Sequence, residues 1–378
     1  VPDANKHFPL NYAAPAVRGL QPYVPGKPLD ELEREYGIRN AVKLASNENP
    51  AGPSPRVFQA IEAAAKTINR YPDGAGFQLK KSLAVHLGVE QEQLTLGNGS
   101  NDILVLLAEV FLTAATNAVF SEYAFVVYPL AVQATSAEAR VVPANKKNHP
   151  QALGHDLNAM LAAIDESTRL VFIANPNNPT GTWLEPDALY AFLKKVPSTT
   201  VVVLDEAYCE YSGAGHGSLA WLSEFPNLVV TRTFSKIYGL AGLRIGYAIS
   251  SPELAELLNR IRQPFNINSI ALAAAEAALV DQSYIEACRK ANSEALAFLT
   301  EGVTSIAGVR VIPSRGNFVL VDLGRPALPV YEALLHAGVI VRPVGNYGLP
   351  NHLRVTAGSV VENTAFLTAL SAALVRVI

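Results

Sequence analysis

The chain is predicted to be an α/β protein: a large domain on a mostly parallel seven-stranded sheet covered by helices, plus a smaller α+β domain. Three observations predict this. Short apolar runs recur at 94–96, 117–120, 139–142, 168–173, 200–204, 228–233 and 246–249, and helical stretches separate most of them. Apolar runs that alternate with helices form parallel sheets covered on both faces. Past Pro264 the order changes to two successive helices, 270–280 and 283–302. Shorter strands follow at 309–312, 318–322, 340–342 and 352–355, with helices at 328–337 and 360–376, the pattern of an α+β unit. Finally, 378 residues exceed what one core usually organises.

Taken in order, residues 1–46 read as an arm that is also part of the small domain. Pro9, Pro15, Pro22, Pro25 and Pro28 interrupt regular structure there, and Leu29–Tyr36 has the length of a short helix. Asn47-Glu48-Asn49-Pro50 begins a turn-rich stretch. Ser54 then caps a helix that opens on Pro55, whose missing N–H costs nothing at a first helical position, and runs to about Thr67. Tyr71-Pro72-Asp73-Gly74 is a turn before a helix at 78–87, and Gly97-Asn98-Gly99-Ser100-Asn101 joins a strand to a helix at 102–113. The helix 252–262 ends near Pro264. The expected domains are therefore 1–46, a large domain over 47–264, and a C-terminal small domain over 265–378.

Composition narrows the function. The net charge of −3 provides no basic surface for nucleic acid or an anionic membrane. Glu109 and Glu276 interrupt the longest apolar helical stretches, so none reaches the length of a membrane span. Cys209 and Cys288 are too few for a disulfide framework, and no apolar segment opens the chain, so a cytoplasmic location is expected. His149 and His155 lack metal-ligand spacing and read as surface residues, and Lys146-Lys147 as a solvated turn.

The chemistry concentrates where strands end. Lys236 follows the run 228–233 within Thr233-Phe234-Ser235-Lys236, with Gly239, Gly242 and Arg244 close behind. Asp205 follows four apolar residues at a sheet's carboxyl edge, where ligands bind in open α/β sheets. Glu206, the alternative, should point to the opposite face. Asn175-Pro-Asn-Asn-Pro-Thr-Gly181 is a rigid loop in which a cis bond at Asn178–Pro179 would aim Asn178 at a ligand. Tyr123 is placed to lie on an aromatic ligand, with Tyr128 as a competitor. Gly99, Ser100 and Asn101 precede a helix whose free amides suit a phosphate. The same loop hints at a dinucleotide site, but Asp102 stands where the third glycine belongs. Arg342 and Arg354 each follow apolar strand residues, as either carboxylate or phosphate ligands or structural ion pairs. A lysine for a Schiff base, a carboxylate for a pyridine nitrogen, and hydroxyls with a guanidinium for a phosphate are together what pyridoxal phosphate requires.

These segments resemble the fold-type I pyridoxal phosphate aminotransferases. Ser46-Asn-Glu-Asn-Pro-Ala-Gly-Pro-Ser54, Tyr71-Pro-Asp-Gly74, Gly97-Asn-Gly-Ser-Asn101 and His352-Leu-Arg-Val-Thr356 look more closely like their histidinol-phosphate aminotransferase branch. The resemblance covers nearly the whole chain in order. It implies that Lys236 bonds the cofactor and then moves the substrate's proton, that Asp205 holds the pyridine nitrogen, that Tyr208 and Asn178 bind the phenolic oxygen, and that Tyr123 stacks on the ring. Gly99, Ser100, Asn101, Thr233, Ser235 and Arg244 would bind the phosphate. Tyr71 would reach the other subunit's phosphate site in a homodimer. Arg354, with Arg342, Tyr23 and Asn47, would bind the small-molecule substrates, L-histidinol phosphate and 2-oxoglutarate. Two features stand apart: Ser121-Glu122 replaces the Pro-Thr often found before the stacking ring, and Arg315 adds a charge near a segment of the substrate site. An aromatic aminotransferase, a threonine-phosphate decarboxylase and a nucleotide-binding oxidoreductase are the competing readings.

Overall fold

A computed structural model describes residues 12–22, 26–213 and 217–376. Its strands are β1 (Val42–Lys43), β2 (Leu94–Gly97), β3 (Asn117–Ser121), β4 (Glu138–Val142), β5 (Thr168–Ala174), β6 (Val201–Asp205), β7 (Leu228–Thr233), β8 (Gly246–Ile249), β9 (Arg310–Ile312), β10 (Phe318–Asp322), β11 (Val339–Ile340), β12 (Arg342–Pro343) and β13 (His352–Thr356). The large sheet has the order β2-β8-β7-β6-β5-β3-β4. β8 is antiparallel to both neighbours and the other pairs are parallel, as the sequence predicts.

Every residue of β2, β3, β6, β7 and β8 is buried, because helices cover both faces. Alternation along β6 divides the core. Val201 and Val203 pack with Ile103, Leu107, Tyr128 and Phe172 on one face. Val202 and Leu204 pack with Leu79, Leu193, Ile173 and Ala274 on the other.

The smaller sheet is antiparallel with the order β12-β13-β10-β9, and β1 pairs with β11 in parallel beside it. Leu44, Leu299, Val319, Val355, Phe366 and Leu370 form its core. The proline-rich arm thus ends by joining this unit.

The expected boundary at 264 falls before helix Ser269–Val280, yet Ala271, Ala274, Ala275 and Ala278 of that helix pack into the core of the large sheet. Helix Gln282–Thr304 crosses between the units: Ile285 and Cys288 join the large core, and Leu299 and Val303 the small one. Among the described residues, no helix is long and apolar enough to cross a membrane.

Candidate active site

Because β2, β3, β5, β6 and β7 run the same way, the segments that follow them gather at one edge of the sheet. Antiparallel β8 starts at that edge, so Arg244 arrives beside the residues that leave β7. A cavity of about 170 Å³ opens there. Its walls include Ser46, Asn47, Ser100, Asn101, Phe125, Asn178, Asp205, Tyr208, Thr233, Ser235, Lys236, Arg244, Tyr347 and Arg354.

Lys236 is held by a tight turn in which Gly239 (φ +73°) donates its N–H to the Lys236 carbonyl. A Cβ at Gly239 would overlap the backbone of Gly52, so the turn admits glycine alone. Lys236 Nζ donates to the carbonyl of Ser46 at 3.2 Å and lies 5.6 Å from the Tyr208 ring centre. Burial, then the Arg354 guanidinium, lowers its pKa to about 8.

Asp205 is buried at the end of β6. Its Oδ2 accepts from the Tyr128 hydroxyl at 2.9 Å and its Oδ1 from the N–H of Ala207 at 3.2 Å. Burial raises its pKa, and the Tyr128 hydrogen bond opposes that. Glu206 faces the other side, paired at 2.6 Å with buried Arg232.

Tyr208 accepts a hydrogen bond from Asn47 Nδ2 at 2.9 Å, and burial pushes its phenol up to about 12. Asn47, at φ +56°, also accepts from Thr356 Oγ1 at 3.2 Å, so it ties Tyr208 to β13. Arg354, on β13, donates to Asn178 Oδ1 and to the Ala45 carbonyl, each at 2.6 Å. The bond Asn178–Pro179 is cis, and so is Asn175–Pro176.

The polar end of the cavity lies at the start of helix Ser100–Phe111. Arg244 Nη1 donates to Ser235 Oγ at 3.2 Å, and the Ser235 N–H donates to Thr233 Oγ1 at 3.1 Å. Gly99 and Gly246 are pressed close. A Cβ on the first would strike Arg244, and on the second the backbone nitrogen of Ser100.

Not every anticipated residue is here. Tyr123 does not line the cavity. The segment after β3 turns, and Tyr123 packs against the cluster of Leu320, Val344 and Leu349, while Phe125 stands in the wall. Arg342 lies beside Gly26, directly across from Arg354 on the same face of the small sheet but outside the cavity wall. Tyr71 is exposed and stacks on Phe265, away from the cavity of its own chain. Tyr23 lies outside the described residues. Arg315 sits over the Trp183 ring, with Glu185 at 3.4 Å, on the surface. His155, expected at the surface, is buried with Nε2 2.9 Å from the Ala174 carbonyl, and burial lowers its pKa to about 4. Sequence reasoning missed Ser46, Phe125, Tyr347 and the role of Tyr128 as a partner of Asp205. The spacing of Phe125 and Tyr128 after β3 was the available signal.

The donor set fits pyridoxal phosphate. A buried carboxylate that makes no ion pair among the described residues faces the cavity, a half-buried amine with lowered proton affinity lines the same cavity, and a helix start with Ser235 and Arg244 suits a phosphate.

A sequence profile described as "Aminotransferase class I and II" matches residues 39–370. The chain is 57% identical over 371 residues to "Histidinol-phosphate aminotransferase 2" of Pseudomonas fluorescens (strain Pf-5), covering 97% of this chain and 98% of the relative. It is 55% identical over 365 residues to the protein of the same name from Methylococcus capsulatus, covering 96% and 98%. The crystal structure of histidinol-phosphate aminotransferase from Sinorhizobium meliloti in complex with pyridoxal-5′-phosphate superposes with a TM-score of 0.89 at 31% identity, covering 97% and 98%. The chain belongs to the class I and II aminotransferases and, within them, to the histidinol-phosphate aminotransferase family.

Proposed function

We propose that this pyridoxal phosphate-dependent transaminase moves the amino group between L-histidinol phosphate and 2-oxoglutarate, yielding imidazole-acetol phosphate and glutamate in histidine biosynthesis. The observation that carries the reading is the half-buried amine of Lys236 in one cavity with buried Asp205 and Arg354. The names of the 55% and 57% identical relatives support the substrate.

When bound, the cofactor supplies an electrophilic carbon for amines and a protonated ring that draws the electron pair from Cα. Lys236 Nζ holds that carbon between turnovers. Once displaced, it takes the proton from the substrate's Cα. Asp205 accepts a hydrogen bond at the ring nitrogen. Tyr208 and Asn178 bind the phenolic oxygen, and Phe125, in the wall where Tyr123 was expected, covers the ring. Gly99, Ser100, Asn101, Thr233, Ser235 and Arg244 hold the phosphate. Arg354 binds the acidic end of the substrate, with Arg342, Tyr23 and Asn47 completing that site. A guanidinium fork can take a phosphate in one half-reaction and a carboxylate in the other.

The active unit in this reading is a cytoplasmic homodimer. Tyr71, 84% exposed, extends from one protomer to the phosphate site of its partner. The small domain comprises β1, the small sheet and the later half of the helix Gln282–Thr304.

A single-turnover comparison tests the substrate. The cofactor-loaded enzyme is mixed with histidinol phosphate or with phenylalanine at equal concentrations, and loss of the cofactor absorbance is followed. A much larger kcat/KM for histidinol phosphate is expected. The reverse preference would make the enzyme an aromatic aminotransferase.

A further inference from the structure

Tyr128 is fully buried, and neighbouring rings fix its orientation. It stacks on Phe172 with centroids 4.8 Å apart and planes at 12°, and meets Phe125 edge-on at 5.9 Å. Packed this way, its hydroxyl has one direction to point, and it donates to Asp205 Oδ2 at 2.9 Å. The other carboxylate oxygen takes the Ala207 N–H. The remaining polar groups near Asp205 are differently engaged. Glu206 faces the opposite side in its pair with Arg232, Tyr208 holds the Asn47 amide, and Lys236 reaches the Ser46 carbonyl. Thr231 is the exception: it stands across from Asp205 in the β6–β7 register and lowers the basicity of its carboxylate in the same sense as Tyr128, but less.

A carboxylate and a pyridine nitrogen that share a proton compete for it. Each hydrogen bond donated to the carboxylate makes it less basic, and burial makes it more so. With the proton on the carboxyl group, the ring is neutral and accepts an electron pair poorly.

We infer that Tyr128 is a positioning residue: its hydrogen bond to Asp205 keeps the shared proton on the cofactor's ring nitrogen rather than on the carboxyl group. The inference rests on the assignment of this cavity to pyridoxal phosphate. It gives the segment after β3 two tasks, since Phe125 covers the ring and Tyr128, three residues on, sets its charge state through Asp205.

The test is nuclear magnetic resonance of the holoenzyme loaded with pyridoxal phosphate labelled with ¹⁵N in the ring. The wild-type signal is expected at the position of a protonated pyridine. In Tyr128→Phe, which keeps the ring packing, it is expected to move toward the unprotonated position, with kcat lowered roughly tenfold and the KM for glutamate little changed. An unmoved ¹⁵N signal in a folded, cofactor-bound variant overturns the inference. If Tyr128→Phe does not fold, Tyr128→Met, a flexible apolar side chain that fills the same site without a donor, takes its place. The ¹⁵N signal is expected to move in the same direction, and an unmoved signal overturns the inference too. Failure of the wild-type protein to form a yellow complex bleached by borohydride would instead sink the cofactor assignment.

Discussion

An amine that loses its proton near neutral pH behaves unlike a surface lysine, and Lys236 owes that to burial and to Arg354. With a pKa of about 8, roughly a tenth of the apoprotein's amine is neutral at pH 7. Capture of pyridoxal phosphate by the apoprotein should therefore speed up about tenfold per pH unit below 8 and level off above it, as read by stopped-flow absorbance. A rate that keeps climbing through pH 10 would show an ordinary lysine. The same shift fixes a sign for stability. The folded state sheds this proton near 8 and the unfolded chain near 10.5, so the contribution of this group to apoprotein stability rises with pH across that window. Asp205 was legible in the sequence because it directly follows an apolar strand run, and strand ends place side chains reliably; Lys236, three residues past β7, was legible from the hydroxyls of Thr233 and Ser235 and the small residues around it. Tyr123 and Phe125 were not separable in that way. Two residues beyond a strand, the twist of a turn decides which ring faces the cavity, and composition carries no record of it. His155 misled for a related reason, since a polar ring in a loop gives no sign that a carbonyl awaits it in the interior.

Among the elements, the contact between β8 and helix Ser100–Phe111 most directly shapes the phosphate end. Gly246 lets the strand lie against the backbone nitrogen of Ser100. Adding a methyl group there must part strand and helix, because backbone rather than a flexible side chain stands in the way. Gly246→Ala should cost about 1–3 kcal/mol of stability and weaken cofactor binding at least as much as that strain, measured by denaturant unfolding and by cofactor titration. Unchanged affinity in a folded variant would separate the strand from the phosphate site. The seven strands of the large sheet were readable from their apolar runs. β1 was not, for two residues at the end of a proline-rich arm carry no periodicity, and only their pairing with β11 defines them. The helix Ser269–Val280 was readable as a helix but not by its partner: an alanine-rich surface fits either core.

At the scale of the whole molecule, the placement of Tyr71 outside its own cavity gives the proposed dimer a test by complementation. Lys236→Ala and Tyr71→Ala chains should each be inactive or nearly so as homodimers. A mixed dimer should regain one intact site, built from Lys236 of one protomer and Tyr71 of its partner. Refolding the two variants together and assaying transamination checks this. Activity no greater than the sum of the parents would place Tyr71 outside the partner's site. The α/β class and the order of the motifs could be read from the chain, whereas the distance between the small sheet and the cavity could not, because it depends on long-range contacts such as Asn47 with Thr356 and Arg354 with Asn178. One detail of topology has a wider consequence. Since β8 returns antiparallel to β7, residues 234–245 leave and re-enter the sheet at the same edge, carrying both Lys236 and Arg244. In the proposed site, the covalent anchor and the guanidinium that would hold the phosphate thus hang on a single excursion of the chain. A bound cofactor would fasten that excursion at two points and so should shield it from proteases.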